Sequence, residues 1–238
     1  MQKFLRTQFK YTYNYSVFNR NDIRNCLYAN DNRGTVYSGA QARLVRLTKS
    51  NPGHRAVYDW LTDEVFSYLH NGKVETVSSF DAWHNRICTD FIRKCSSVGI
   101  IARYGMAQKF LNLLLKYVYC FQDSHTLHAS KFEFCHVALD GYTFHSTSPR
   151  YVASTTYGAY AIHTPFYSTQ VAPPPALHET PWSKLSYEEY RGIQDNIRIY
   201  LATNPLCYGN VAHLDPLHLA TVSPSHHLTP FETEFFIW

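Results

Sequence analysis

The residues with most chemical potential lie in Tyr104-Gly-Met-Ala-Gln-Lys-Phe-Leu-Asn-Leu-Leu-Leu-Lys-Tyr117. Lys109, Asn112 and Lys116 are spaced three and four apart, so a helix puts them on one face. That face is offset by about 100° from the one carrying Phe110. Lys109 falls in the first helical turn, directly after a Gly-bearing turn. There the positive end of the helix dipole opposes a cation. Repulsion of that kind, with partial burial, is expected to lower the pKa of the amine. A nucleophilic lysine needs this, because only the neutral form attacks. The alternative is a solvated lysine on a helix flank, since most lysines lie at the surface.

A second piece is Phe132-Glu-Phe-Cys-His-Val-Ala-Leu-Asp140-Gly141, an apolar run that delivers a carboxylate directly before a glycine. Asp140 can cap the element that follows. It can also serve as a general base or an electrostatic stabiliser of positive charge.

Other constellations are weaker. His125, His128 and the pair Cys135-His136 bring ligand types close together, but zinc sites use about four ligands in tighter paired spacing, so no metal is expected. Adjacent side chains on an extended segment point to opposite faces, so Cys135 and His136 are not a thiol–base couple. Cys88 and Cys95 share a helix face and are expected in the core. The six cysteines include no Cys-x-x-Cys pair, and in a reducing compartment they read as free thiols. Lys184, Arg191 and Arg198 suit a solvated helix face, with a second basic face as the alternative. The pair His226-His227 carries no assignment.

Helices must position these groups. A short helix is expected over 16–27 and a second over 39–48. Apolar residues at Val57, Leu61, Val65 and Leu69 mark a helix from His54 to His70, stopped by Asn71-Gly72. Phe80, Trp83, Ile87, Phe91 and Cys95 mark another, capped by Ser78 or Ser79. Gly99 and Gly105 bracket a tight connection. A third helix runs from about Met106 to Phe121, and a fourth from Tyr187 to Leu201, opened by a Ser186/Glu189 capping box. Between 140 and 181 the periodicity fails in a Tyr-, Ser-, Thr-, His- and Pro-rich stretch containing Pro173-Pro174-Pro175. A loop that long inside a domain usually marks a binding loop or a mobile segment. The apolar tail ending in Trp238 is expected to dock.

Composition agrees with a folded chain. Of 238 residues, 45% are hydrophobic and 17% charged, which excludes disorder throughout. No apolar run approaches the ~20 residues that span a bilayer. No apolar leader opens the sequence, so a cytoplasmic location is expected. The net charge of +4 permits a polyanionic partner without demanding one.

The order of a Gly-bearing turn, a lysine at a helix start and an apolar segment ending in aspartate resembles the helix–hairpin–helix DNA glycosylase superfamily. The matching pieces are Gly105-Met-Ala-Gln-Lys109 and His136-Val-Ala-Leu-Asp140, within a stretch of similarity over about 80–201. Lys109 and Asp140 are 31 residues apart, a gap most similar to the archaeal 8-oxoguanine DNA glycosylase branch. Two departures stand out: Ala107 replaces a second hairpin glycine, and Ala138-Leu139 replaces a Pro-apolar pair.

The resemblance implies a mainly α fold, a helical bundle of glycosylase type with a long irregular loop at 141–181. It implies one helical unit over 1–238, compatible with lobes 1–75 and 76–238 flanking a cleft. The implied partner is double-stranded DNA with a flipped base, bound by a monomer without metal or organic cofactor. Lys109 would attack C1′, expel the base and leave a Schiff base that β-elimination can resolve, with Asp140 stabilising charge on the sugar. Gly105, Gln108, Asn112, Lys116 and Arg103 would meet the DNA, helped by Arg93 and Lys94. Trp60, Trp83, Phe144 and Trp182 are candidates to stack on the base. A different class remains open: a non-catalytic helical nucleic-acid- or protein-binding module, of a kind suited to bacterial anti-phage defence, using the Tyr-rich loop as its contact surface.

Overall fold

The computed structural model describes residues 19–24, 27, 53–71, 74–121, 131–139, 182–203, 205, 207, 225, 227 and 229–233. These are mainly helical. Helix α1 spans Gly53–Asn71, α2 Val77–Ser97, α3 Tyr104–Phe121 and α4 Tyr187–Thr203. A 3-10 turn, Trp182–Lys184, precedes α4, and a last helical turn, α5, covers Pro230–Thr233. Residues 20–24 are also helical. The expected helix over 39–48 and the 141–181 loop lie outside the described residues. So do Asp140, Phe144, His125, His128 and His226.

Local chemistry sets the boundaries. The α2 cap is Thr76 rather than Ser78 or Ser79. Its hydroxyl accepts from the Ser79 amide at 3.1 Å, and the Ser79 hydroxyl accepts from the Thr76 amide at 3.1 Å. Serine at the fourth position thus replaces the usual glutamate of a reciprocal capping box. Helix α4 has the expected box: Ser186 N–H donates to Glu189 at 2.8 Å, and Glu189 N–H donates to the Ser186 hydroxyl at 3.2 Å. Between α2 and α3 the chain turns at Gly99, whose φ of 79° favours glycine.

Helix α2 packs against both α1 and α3, while α3 also meets the 3-10 turn and α4. The main core gathers Leu61, Val65, Phe80, Ile87, Phe91, Phe110, Leu114 and Val118, with Ile23, Leu27 and Phe231 added from distant segments. Phe91 and Phe110 stack with ring centres 5.2 Å apart. A smaller cluster joins Val137, Leu139, Leu185, Tyr190, Ile193, Ile197 and Leu201. Tyr104 touches both clusters.

Helix α3 therefore lies between two apolar bodies and is buried nearly all round. Segment 131–139 runs along it: Cys135 and Ala138 join the main core, Val137 and Leu139 the smaller one. Polar side chains at this seam have no water to bond and must find partners in the protein.

Candidate functional site

The seam holds a dense polar cluster. Asp81 and His84 come from α2, Gln108 and Asn112 from α3, His136 from the 131–139 segment, and Tyr190 and Gln194 from α4. All seven are buried. Helical spacing puts Asp81 and His84 on the same α2 stripe as Phe80, Ile87 and Cys88.

Asp81 receives four contacts. His136 Nε2 lies 2.7 Å from Oδ1, Arg198 forks onto both oxygens at 2.8 and 3.1 Å, and Arg191 approaches Oδ2 at 3.5 Å. Burial pushes the Asp81 carboxyl up, but the bonds from His136 and Arg198 outweigh it and hold it well below the carboxylate range. Arg198, expected on a solvated face, is thus turned onto this buried carboxylate and also pairs with Asp195 at 3.2 Å, while Arg191 stays exposed and lies between Asp195 at 3.4 Å and Asp81 at 3.5 Å.

His136 Nδ1 lies 2.7 Å from the Tyr190 hydroxyl. That hydroxyl accepts from Asn112 Nδ2 at 2.9 Å. Asn112 Oδ1 lies 2.9 Å from His84 Nε2. Burial lowers the His136 pKa to about 4 against the support of Asp81, and burial likewise drives His84 well below its ordinary value. Both rings are neutral near pH 7. Burial raises the Tyr190 hydroxyl, which stays protonated.

The cluster reaches the backbone of the 131–139 segment through two glutamines. Gln108 Nε2 donates to the Leu139 carbonyl at 3.0 Å, and Gln108 Oε1 accepts from the Leu139 amide at 3.4 Å. Gln194 grips Val137 in the same two-way manner at 2.8 and 3.2 Å. Gln108 and Leu139 are the immediate neighbours of Lys109 and Asp140 in sequence.

Lys109 and Lys116 are 6% and 7% exposed, so neither is a solvated flank residue. The expected DNA-facing set is largely internal. The Gly105 amide donates to the Leu185 carbonyl at 3.2 Å, and Gln108 and Asn112 are fully buried. Gly105 is held by Leu185, just before α4, Gln108 by Leu139 and Asn112 by Tyr190 of α4, so these elements cover the α3 face that the helical spacing leaves open. Arg103 remains exposed. Arg93 pairs with Asp90 at 2.9 Å, and Lys94 lies 5.1 Å from the centre of the Trp60 ring.

Of the aromatic candidates, Trp83 stacks on Tyr68 at 4.2 Å and Trp60 packs against the main core. Trp83 packs half-buried against the main core, and His84 beside it is fully buried, bonded to Asn112 of α3. Cys88, Cys95 and Cys135 are buried free thiols, and burial raises all three, Cys95 to about 12. None is an activated nucleophile. Among the described residues no group of three His, Cys, Asp or Glu side chains is placed to hold a metal ion, and no helix is long and apolar enough to cross a membrane.

Sequence spacing alone missed Asp81, His84, Tyr190 and Arg198 as one unit. A usable signal existed: Asp81 and His84 occupy core positions of an amphipathic helix, and buried polar residues demand partners. Comparison with known proteins finds no matching family model, no matching curated protein and no matching solved structure.

Proposed function

We propose that this chain is a DNA glycosylase that excises a damaged or modified base, with Lys109 as nucleophile and Asp140 as the acid group stabilising positive charge on the sugar. One observation carries the reading. The Gln108 side chain bonds both backbone groups of Leu139, tying the residue before Lys109 to the residue before Asp140. The clamp brings Gln108 and Leu139 together across 31 residues of sequence, and that supports a reading in which the groups that follow them act on one substrate. Such pre-organisation is what an amine and a carboxylate acting on one sugar require.

In the proposed reaction, the target nucleotide leaves the stack. The neutral Lys109 amine forms a bond to C1′ as the bond from C1′ to the base breaks. The base leaves with the electron pair and takes up a proton. Loss of the amine proton and ring opening yield a Schiff base. β-Elimination then abstracts a proton from C2′ and expels the 3′ phosphate. Backbone phosphates are met by Arg103 and Lys184. Both are exposed, and the Gly105–Leu185 bond draws their segments together at the start of α3.

The test is borohydride trapping on duplexes carrying a panel of modified bases, with wild type, Lys109→Ala and Asp140→Asn. The wild type is expected to cross-link to at least one duplex, and Lys109→Ala to none. Equal cross-linking by the Lys109 variant would remove the nucleophile assignment. A non-catalytic binding module is the second reading, favoured because Gln108 and Asn112 direct their polar atoms inward. It expects duplex binding without cleavage and no effect of either substitution on affinity.

A further inference from the structure

We propose that Asp81, His136, Tyr190, Asn112 and Gln108 form one connected hydrogen-bonded network, with Asn112 Nδ2 donating toward both Tyr190 and Gln108, whose task is to position the 135–139 segment on α3. These would be positioning residues for the candidate site, and that catalytic consequence rests on the glycosylase reading above.

The placement of each hydrogen follows from donor and acceptor capacity. An ionised Asp81 only accepts, so His136 Nε2 carries the hydrogen of the 2.7 Å contact. In a neutral ring Nδ1 then accepts, and Tyr190 donates its hydroxyl hydrogen at 2.7 Å. The Tyr190 oxygen is left as acceptor for Asn112 Nδ2 at 2.9 Å. Asn112 Nδ2 also donates to Gln108 Oε1 at 3.1 Å. Gln108 Nε2 ends the network by donating to the carbonyls of Gly105 at 2.8 Å and Leu139 at 3.0 Å. The side branch agrees: His84 Nε2 donates to Asn112 Oδ1, and His84 Nδ1 faces the Cys88 thiol at 3.8 Å.

The opposite placement fails. A hydrogen on both His136 nitrogens would make Tyr190 accept from His136 and Asn112 together. Its own hydrogen would then have to point to His84 Nε2, 3.4 Å away, which is already donating to Asn112. With His136 hydrogenated on Nε2 each of these side chains has a partner, and the network starts at the carboxylate held by Arg198. A buried network whose members are all bonded favours one geometry.

The test uses the full chain with Tyr190→Phe, which removes only the hydroxyl, and Asp81→Asn, which keeps the shape and removes the charge. Amide exchange at Leu139 is expected to accelerate on the order of tenfold in both, with Ile87 in α2 unchanged. Ring-nitrogen chemical shifts should show His136 hydrogenated on Nε2 in wild type and mixed between tautomers in Asp81→Asn. In single-turnover borohydride trapping on the duplex panel, the rate of cross-link formation at saturating duplex is expected to fall on the order of 100-fold, with the half-saturating duplex concentration within about twofold.

If Asp81→Asn does not fold, Tyr190→Phe decides alone. Leu139 exchange at the wild-type rate overturns the network. Accelerated exchange in a protein whose wild type never traps DNA removes the glycosylase reading and leaves the network standing. Accelerated exchange with undiminished trapping overturns the catalytic role of the network.

Discussion

Arg198 closes a two-pronged bond on Asp81, Nη2 to Oδ1 at 2.8 Å and Nη1 to Oδ2 at 3.1 Å, across 117 residues of sequence. Asp81 is 3% exposed and Arg198 is 18% exposed, so the pair lies where water does not screen it. Removing one partner of such a pair leaves a buried charge without adequate compensation. Arg198→Leu is therefore expected to lower stability by about 3 kcal/mol in urea denaturation. A loss below about 1 kcal/mol, the level of a surface pair, would mean that Arg191 replaces it.

The same cluster gives stability a pH dependence with a definite sign. His136 is packed against Asp81, His84, Tyr190 and Arg198, with Asp195 nearby. Its folded pKa is lowered to about 4, against an ordinary 6.5. Below pH 6.5 the unfolded chain binds a proton there that the folded chain does not, so stability falls as pH drops toward 4. At pH 5 the loss from this group is about 2 kcal/mol relative to pH 7. His84, also lowered, adds in the same direction. Asp81, held low, contributes stability above its unfolded value that is lost at still more acid pH. The urea midpoint measured from pH 8 to pH 4 should show this slope, and a flat profile above pH 5 would contradict a neutral buried His136.

Helix caps provide a contrast on a smaller scale. Thr76→Ala removes the acceptor for the Ser79 amide and breaks the reciprocal box. The expected cost is about 1 kcal/mol. Ser78→Ala, beside it and exposed, should cost almost nothing. Equal effects in thermal melts would put the cap at the wrong residue.

Helix existence was legible because apolar residues at Val57, Leu61 and Val65, or at Tyr190, Ile193 and Ile197, repeat with the period of a helix. The structure places these helices within a few residues of the expected ends. Capping was half legible: Ser186 with Glu189 has the ordinary residue types, whereas Thr76 with Ser79 uses a serine where glutamate is usual. The polar seam was not legible from spacing. His136 bonds Asp81 from 55 residues away and Tyr190 from 54, and no local pattern encodes a contact of that range. Asn112 looked like part of a solvent face because helix period identifies a face but not what covers it. Here α4 and the 131–139 segment cover it.

The contrast between inward and outward polar groups on α3 separates two kinds of substitution. Gln108→Leu leaves the Leu139 amide and the carbonyls of Gly105 and Leu139 without their side-chain partner. It should cost about 2 kcal/mol of stability. Under the glycosylase proposal, its effect on DNA binding at saturating fold should be small, because no phosphate contact is lost. Arg103→Gln and Lys184→Gln should behave in the reverse way. Their urea midpoints should stay at the wild-type value, since both side chains are exposed. Duplex affinity should fall for every sequence alike, and each substitution should reduce the slope of log K against log salt by about 0.9, the signature of one lost phosphate contact. Fluorescence anisotropy over a salt series measures both quantities. An unchanged slope in the Arg103→Gln, Lys184→Gln double variant would move the DNA-binding surface away from the start of α3.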